Sequence, residues 1–103
     1  MIETIKNDGA ILAIVIYSDY SVEGIKFISP NDFSLQLGTM SRPAGYKVLP
    51  HIHNPIERHC VGTQEVLFIK SGKIRIDFYS FDKVYLESRE LAAGDIILLA
   101  GAG

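Results

Sequence analysis

The sequence has a single cysteine among its 103 residues, so an internal disulfide framework cannot form. Secreted domains that depend on disulfides are therefore excluded, and a lone thiol is compatible with a reducing compartment. No continuous apolar run approaches the roughly 20 residues that a membrane-spanning helix needs. The first residues also lack the charged-then-apolar layout of a secretory signal. We therefore expect a cytoplasmic protein with no membrane partner.

An excess of charge of either sign is also missing. Ten Lys and Arg residues stand against twelve Asp and Glu residues, which gives a formal net charge of -2. Because no basic cluster stands out, we expect no nucleic-acid partner. Hydrophobic residues make up 48% of the chain, enough for one compact core, and the length predicts a single domain over residues 1–103. The partner expected is a small-molecule ligand or substrate.

Short apolar or alternating stretches, separated by turn residues, recur along the chain. Ala10–Tyr17 is a continuous apolar run whose length favours a buried strand over a helix. Alternation or strand-forming residues predict further strands over 24–28, 33–40, 46–53, 66–70, 74–78, 84–91 and 96–99. In strand 84–91, the charged residues Glu87, Arg89 and Glu90 are interpreted as a solvated face. Short strands at regular spacing, without a convincing amphipathic helix, predict an all-β sandwich or barrel.

Two of the three histidines, His51 and His53, are separated by one residue of the predicted strand 46–53. Side chains at positions i and i+2 of an extended strand point to the same face, so both imidazoles can aim at one point. Two neutral imidazoles and a carboxylate from a neighbouring strand form a metal-ligand set with open coordination positions. The spacing therefore predicts a metal site at this strand.

The stretch from Gly45 to Gly72 resembles the first signature of the cupin family. That signature runs Gly, five residues, His-x-His, three or four residues, Glu, six residues, Gly. Here Gly45 is followed by five residues and then His51-Ile52-His53, and Glu65 is followed by six residues and then Gly72. Eleven residues, 54–64, separate the two halves. We interpret them as an insertion in a turn between strands, since loops tolerate added length at low cost.

The carboxylate of this signature has two candidates, Glu57 and Glu65. Glu57 lies four positions after His53, which is the ordinary family spacing, but the residues that follow it do not read as a strand. Glu65 leads into the apolar stretch 66–70 and then into the turn residues Ser71 and Gly72. The strand context favours Glu65.

The resemblance then implies that His51, His53 and Glu65 bind a divalent transition metal, which could be Fe, Mn, Ni, Zn or Cu. His59 remains a candidate for an additional ligand or for a supporting role beside the metal. We interpret Cys60 as a small loop thiol rather than a nucleophile, because adjacent strand residues point to opposite faces and His59 would be poorly placed to activate it.

The second cupin signature is matched only in part. Gly94 is followed by five residues, but Ala100 and Ala102 occupy the Pro and Gly positions of the signature, and its His would fall two residues beyond Gly103. The resemblance implies an all-β fold of the double-stranded β-helix or jelly-roll type, and we expect its C-terminal strands to be missing from these 103 residues.

An incomplete barrel would leave an open sheet edge, which proteins normally cover. The run Ala10–Tyr17 is unusually apolar for an edge strand. We therefore predict a homodimer in which the N-terminal strands pack against, or extend, the partner's sheet.

Three functions remain open at this point. Metal-bearing cupins include dioxygenases, oxalate-degrading enzymes and sugar isomerases, so the first is a metal-dependent enzyme acting on a small oxygen-rich metabolite. The second is a metal-free sugar or nucleotide-sugar isomerase or epimerase in which a histidine acts as general base. The third is a non-catalytic module that binds a small molecule. Fold analogy does not choose between them, because function depends on the site.

Overall fold

The structure is a computed structural model that describes residues 1–51, 53, 55 and 63–100. Within these residues every regular element is a β-strand, and every strand pair is antiparallel. The strands are β1 (Ile2–Asn7), β2 (Ala10–Ile16), β3 (Gly24–Phe27), β4 (Gly38–Ser41), β5 (Glu65–Phe68), β6 (Lys73–Tyr79), β7 (Tyr85–Ala92) and β8 (Ile96–Leu99). The prediction of an all-β fold is confirmed. In the described part of the chain, no helix has the length and apolar character needed to cross a membrane.

The chain divides into two compact units. The first unit comprises Met1–Tyr20 and Val61–Gly103, and the second comprises Ser21–Cys60. The first unit contains a four-stranded sheet with strand order β1-β2-β8-β5 and the hairpin formed by β6 and β7. The second unit contains the β3–β4 hairpin.

The core of the first unit combines side chains from the four-stranded sheet with side chains from the β6–β7 hairpin. Its buried members are Ile5, Ala13, Val15, Ile69, Phe78, Leu91 and Ile97. Burying one aliphatic side chain of this size contributes about 1.5–3 kcal/mol. All four residues from Ala13 to Ile16 are buried, and this is why β2 reads as a continuous apolar run instead of an alternating one.

β1 was not predicted, and its presence changes the place of β2 in the sheet. The two residues that join these strands, Asp8 and Gly9, have φ values of 50° and 78°. Positive φ at both central residues is typical of a type I′ hairpin turn, for which Asp-Gly is a preferred sequence. Because β2 lies between β1 and β8, it is an interior strand. The edge position on which the homodimer prediction relied is therefore wrong for this strand.

The strand predicted over 33–40 is realised only at its end, as β4. The residues before β4 form hydrogen bonds within the chain segment instead of a ladder. The Ser29 hydroxyl accepts a hydrogen bond from Leu37 N at 2.7 Å, and the Gln36 side chain donates to the carbonyl oxygens of Pro30 and Phe33. Local side-chain-to-backbone bonds of this kind compete with strand pairing, so the alternating pattern alone was misleading here.

Asp95 joins the ends of several strands in the first unit. The residue is only 5% exposed. One carboxylate oxygen accepts a hydrogen bond from Ser18 N at 2.8 Å, and the other accepts one from Ala92 N at 2.8 Å. Its backbone oxygen accepts a hydrogen bond from Ile69 N at 2.9 Å. The end of β7 and the segments that follow β2 and β5 are therefore all held at the start of β8.

The neighbouring residue, Gly94, is also required by this arrangement. Its φ of +93° is one that other residues rarely adopt, and a Cβ at this position would lie 2.9 Å from Ser18 Cβ. Gly94 N also donates to Ile69 O at 2.7 Å. A side chain at position 94 would push Ser18 away from the carboxylate that binds its backbone.

We predict that Asp95→Ala lowers the free energy of unfolding by about 2–4 kcal/mol, because two partly buried hydrogen bonds from backbone N–H groups lose their charged acceptor. Asp95→Asn should lower it by less, since the amide keeps one accepting oxygen. Urea unfolding followed by circular dichroism measures both changes. Asp82→Asn, in the exposed loop between β6 and β7, is the matched control and should leave stability unchanged. Wild-type stability in Asp95→Ala would contradict the role given to this carboxylate.

Candidate functional site

The segment that carries His51 and His53 belongs to the second unit and follows β4. It begins with a turn in which Tyr46 N donates to Pro43 O at 3.2 Å. The strand predicted over 46–53 is wrong for the residues that are described there, since none of them pairs with another strand. Proline explains part of this result. Pro50 lies inside the segment and has no N–H to give to a ladder.

The two imidazole rings nevertheless lie together. The ring centroids of His51 and His53 are 5.2 Å apart, and the ring planes differ by 19°, so the rings are stacked. Both side chains are exposed. The two imidazoles therefore lie next to each other, but no strand places them there and the stacked rings do not aim at one point. Parallel rings direct their nitrogen lone pairs side by side, so binding one ion requires one side chain to turn.

A backbone carbonyl assigns the tautomer of His51. Its Nδ1 lies 3.2 Å from Leu49 O, and a carbonyl oxygen can only accept a hydrogen bond. We therefore assign the proton of the neutral ring to Nδ1, which leaves the lone pair on Nε2. Metal-ligating histidines commonly donate their second ring N–H to a carbonyl or carboxylate in this way. This contact therefore leaves the Nε2 lone pair of His51 unused.

The third predicted ligand, Glu65, lies in the other unit. It is the first residue of β5, opposite Leu99 of β8, and its side chain is exposed. The glycines that bound the signature, Gly45 and Gly72, have φ values of 87° and 75°, both in the left-handed region. Among the residues described, no group of three or more His, Cys, Asp or Glu side chains is arranged to hold a metal ion. The remaining candidates of this region, Glu57, His59 and Cys60, lie outside the described residues.

The first unit contains a charged cluster that the sequence patterns did not predict. The Arg89 guanidinium donates to both carboxylate oxygens of Glu3, at 2.8 and 3.0 Å. The Tyr17 hydroxyl donates to the same carboxylate at 2.8 Å, and Glu87 lies 2.8 Å from Arg89. Glu87 and Arg89 are half-buried in this cluster, so of the three residues interpreted as a solvated face only Glu90 is exposed. Strand alternation places both on the face of Leu91, which is fully buried, and this signal was available in the sequence.

Contacts within the cluster shift the pKa values of Glu3, Tyr17 and Arg89. The hydrogen bonds from Arg89, followed by the one from Tyr17, hold the pKa of Glu3 below its usual value against the opposing effect of burial. Burial raises the pKa of Tyr17, and the hydrogen bond to Glu3 raises it further. The contacts with Glu3, then with Glu87, raise the pKa of Arg89. Arg89 and Glu3 therefore remain a charged pair across the neutral pH range.

An exposed polar network covers the opposite face of the β6–β7 hairpin. The Ser88 hydroxyl donates to Asp77 at 2.6 Å and lies 2.7 Å from the Tyr85 hydroxyl. Arg75 donates to both Asp77 and Ser88. Tyr79 meets Tyr85 edge to face, with ring centroids 6.0 Å apart. These contacts fix the outer side chains of the hairpin but bring together no nucleophile and base in a cavity.

Comparison of the chain with protein-family models, with curated proteins and with solved structures gives no match. An account of function therefore depends on the residues themselves, and His51 and His53 are the pair with the clearest chemistry.

We predict that Glu3→Gln lowers the free energy of unfolding at pH 7 by about 1 kcal/mol, because the pair with Arg89 is only partly shielded from water. The pKa of Glu3 is lower in the folded chain than its ordinary value of 4.5. The contribution of its ionised carboxylate is therefore fully present above about pH 4.5 and is lost as the pH falls through the folded pKa. Urea unfolding at pH 7 and near pH 3 measures the difference between the two proteins.

Glu90→Gln removes the same charge from an exposed position of β7 and serves as the control. Its stability should follow that of the wild type at both pH values. A constant difference between wild type and Glu3→Gln across this range would show that ionisation of Glu3 is not the source of its effect.

Proposed function

We propose that this chain is a small cupin protein that binds a divalent transition metal through His51 and His53. The observation that carries the proposal is the state of the two rings. Their centroids are 5.2 Å apart, so a turn of one side chain would bring both rings to one ion, and the contact between Leu49 O and His51 Nδ1 leaves Nε2 available. Imidazole nitrogen together with a carboxylate suits Fe, Mn, Ni, Zn or Cu, so the proposed donor set fits a metal of this class.

Three features support the cupin part of the proposal. The strands are all antiparallel, as a jelly-roll or double-stranded β-helix requires. The signature glycines Gly45 and Gly72 both occupy backbone conformations that favour glycine. Glu65 begins β5, which agrees with the strand context that selected it over Glu57. Glu65 is accordingly the carboxylate ligand in this proposal.

A divalent ion held by two imidazoles and a carboxylate would polarise an oxygen atom of a bound small molecule as a Lewis acid. The chain's own contribution would be to supply neutral imidazoles and to fix their orientation. We propose a small oxygen-rich metabolite as the substrate or ligand. The homodimer and the cytoplasmic location remain predictions from the sequence.

We predict that the protein, purified without a histidine tag, holds about one divalent transition metal per chain, and that His51→Ala or His53→Ala abolishes it. Elemental analysis measures the content, and electron paramagnetic resonance of the Cu(II)-loaded protein counts the nitrogen ligands. Lys47→Gln, a change of charge in the same exposed segment, should keep the metal. If a variant with both His51→Ala and His53→Ala still holds the metal, the metal site lies elsewhere in the chain.

Chelator treatment separates the metal-dependent function from a metal-free isomerase. Metal that binds only the folded chain stabilises it by mass action, so its removal at pH 7.5 should lower the melting temperature and its return should restore it. The affinity should also fall steeply on acidification, because protons compete for the imidazole nitrogens. An unchanged melting temperature in protein verified to have lost its metal would favour the metal-free alternative.

The choice of carboxylate gives a separate prediction. Glu65→Gln should weaken metal binding by at least about tenfold, and Glu57→Gln should leave it within about twofold of the wild type. Isothermal titration with Zn(II) or Mn(II) measures both. The reverse result would retain the histidine site but replace Glu65 by Glu57 as its carboxylate.

A further inference from the structure

A cleft in the second unit lies where the pairing of β3 and β4 ends. It has a volume of about 450 Å³ and is lined by Glu23, Gly24, Ser41, Arg42 and Pro43. Small-molecule pockets typically have volumes of about 300–1,000 Å³. A Cβ at Gly24 would have no neighbouring atom within 4 Å, so this position borders open space.

The cleft carries one charged side chain of each sign. In the β3–β4 register Gly24 lies opposite Ser41, and Glu23 and Arg42 are the residues that adjoin this last pair. Opposite charges that are neighbours in a sheet usually attract each other. Here the two side chains form no ion pair with each other or with any other residue in the described ranges. Both charges therefore remain available to a ligand.

Tyr46 positions Arg42. The guanidinium carbon of Arg42 lies 4.7 Å from the centroid of the Tyr46 ring, a cation–π contact. The hydrogen bond from Tyr46 N to Pro43 O fixes the turn that carries this ring. A cation–π contact uses none of the N–H groups of a guanidinium as hydrogen-bond donors to oxygen, so they can still match the two oxygens of a carboxylate. Arg42 is thus prepared for a carboxylate ligand.

We propose that this cleft binds a free α-amino acid, whose carboxylate pairs with Arg42 and whose ammonium group pairs with Glu23. A ligand with only a carboxylate would approach the negative charge of Glu23 without compensation, and a purely cationic ligand would meet the same difficulty at Arg42. A small zwitterion satisfies both charges. The Ser41 hydroxyl, which can donate and accept, offers a further hydrogen bond. The cleft shares no lining residue with the metal site proposed at His51 and His53.

The test uses the full chain labelled with ¹⁵N, titrated with L-alanine and with two compounds that each carry half of its charges. Propionate keeps the carboxylate, and ethylamine keeps the ammonium group. We expect L-alanine to shift the amide signals of Gly24, Ser41 and Arg42 in a saturable way. Each half should bind at least about tenfold more weakly, because it loses one charge-assisted contact.

Variants test each contact separately. Arg42→Gln should bind L-alanine at least about tenfold more weakly and should no longer prefer it to ethylamine. Glu23→Gln should weaken it similarly and lose the preference over propionate. Lys26→Gln removes a charge from the same hairpin outside the cleft and should bind like the wild type. The remaining amide signals report whether each variant keeps its fold.

Two results would overturn the proposal. One is the absence of a saturable shift with L-alanine up to about 50 mM, well above the millimolar affinity expected of a weak specific site. The other is equal affinity for L-alanine and propionate in the wild type. The metal content of Arg42→Gln should match the wild type in either case, so the failure of this proposal is distinct from a failure of the metal site.

Discussion

The first unit depends on the hydrogen bonds that the buried carboxylate of Asp95 accepts. This carboxylate binds Ser18 N, which is 77 positions away in the chain, and it does so from the residue just before β8. Its position fixes where β8 starts, and β8 pairs with β2 on one side and β5 on the other. Ile97 consequently lies opposite both Val15 and Leu67. A slip of one residue at Asp95 would turn Ile97, which has no exposed surface, to the other face of the sheet.

Much of this fold could be predicted because burial imposes a pattern on the sequence. The apolar run of β2 and the alternation of β6 were sufficient to identify both strands. Asp8 and Gly9 form a typical hairpin turn, yet β1 was not predicted. A turn sequence indicates a hairpin only when a strand is recognised on each side of it. The order of strands was not accessible in this way. The position of β8 between β2 and β5 depends on contacts between residues far apart in the chain.

The candidate site was predicted in a similar, partial way. Local spacing was enough to bring the imidazoles of His51 and His53 next to each other, but not to make them aim at one point. The pairing of Arg89 with Glu3 was not accessible, because the two residues are 86 positions apart and meet only after the strands assemble. Spacing within one strand showed which face Arg89 occupies, but no local pattern identifies the residue that faces it. Sequence periodicity therefore predicts the direction of a side chain better than it predicts its partner.

The described residues of the histidine segment form no strand ladder, so something else must limit the number of conformations from which a ligand would select. Pro50 has a restricted φ, and it restricts the backbone of Leu49 to extended conformations as well. Leu49 is the residue whose carbonyl oxygen contacts His51 Nδ1. The Leu49-Pro50 pair thus constrains both the backbone before His51 and the group that sets its tautomer. A segment restricted in this way loses less conformational entropy when it binds a ligand than an unrestricted loop would, and proline achieves this without a neighbouring strand.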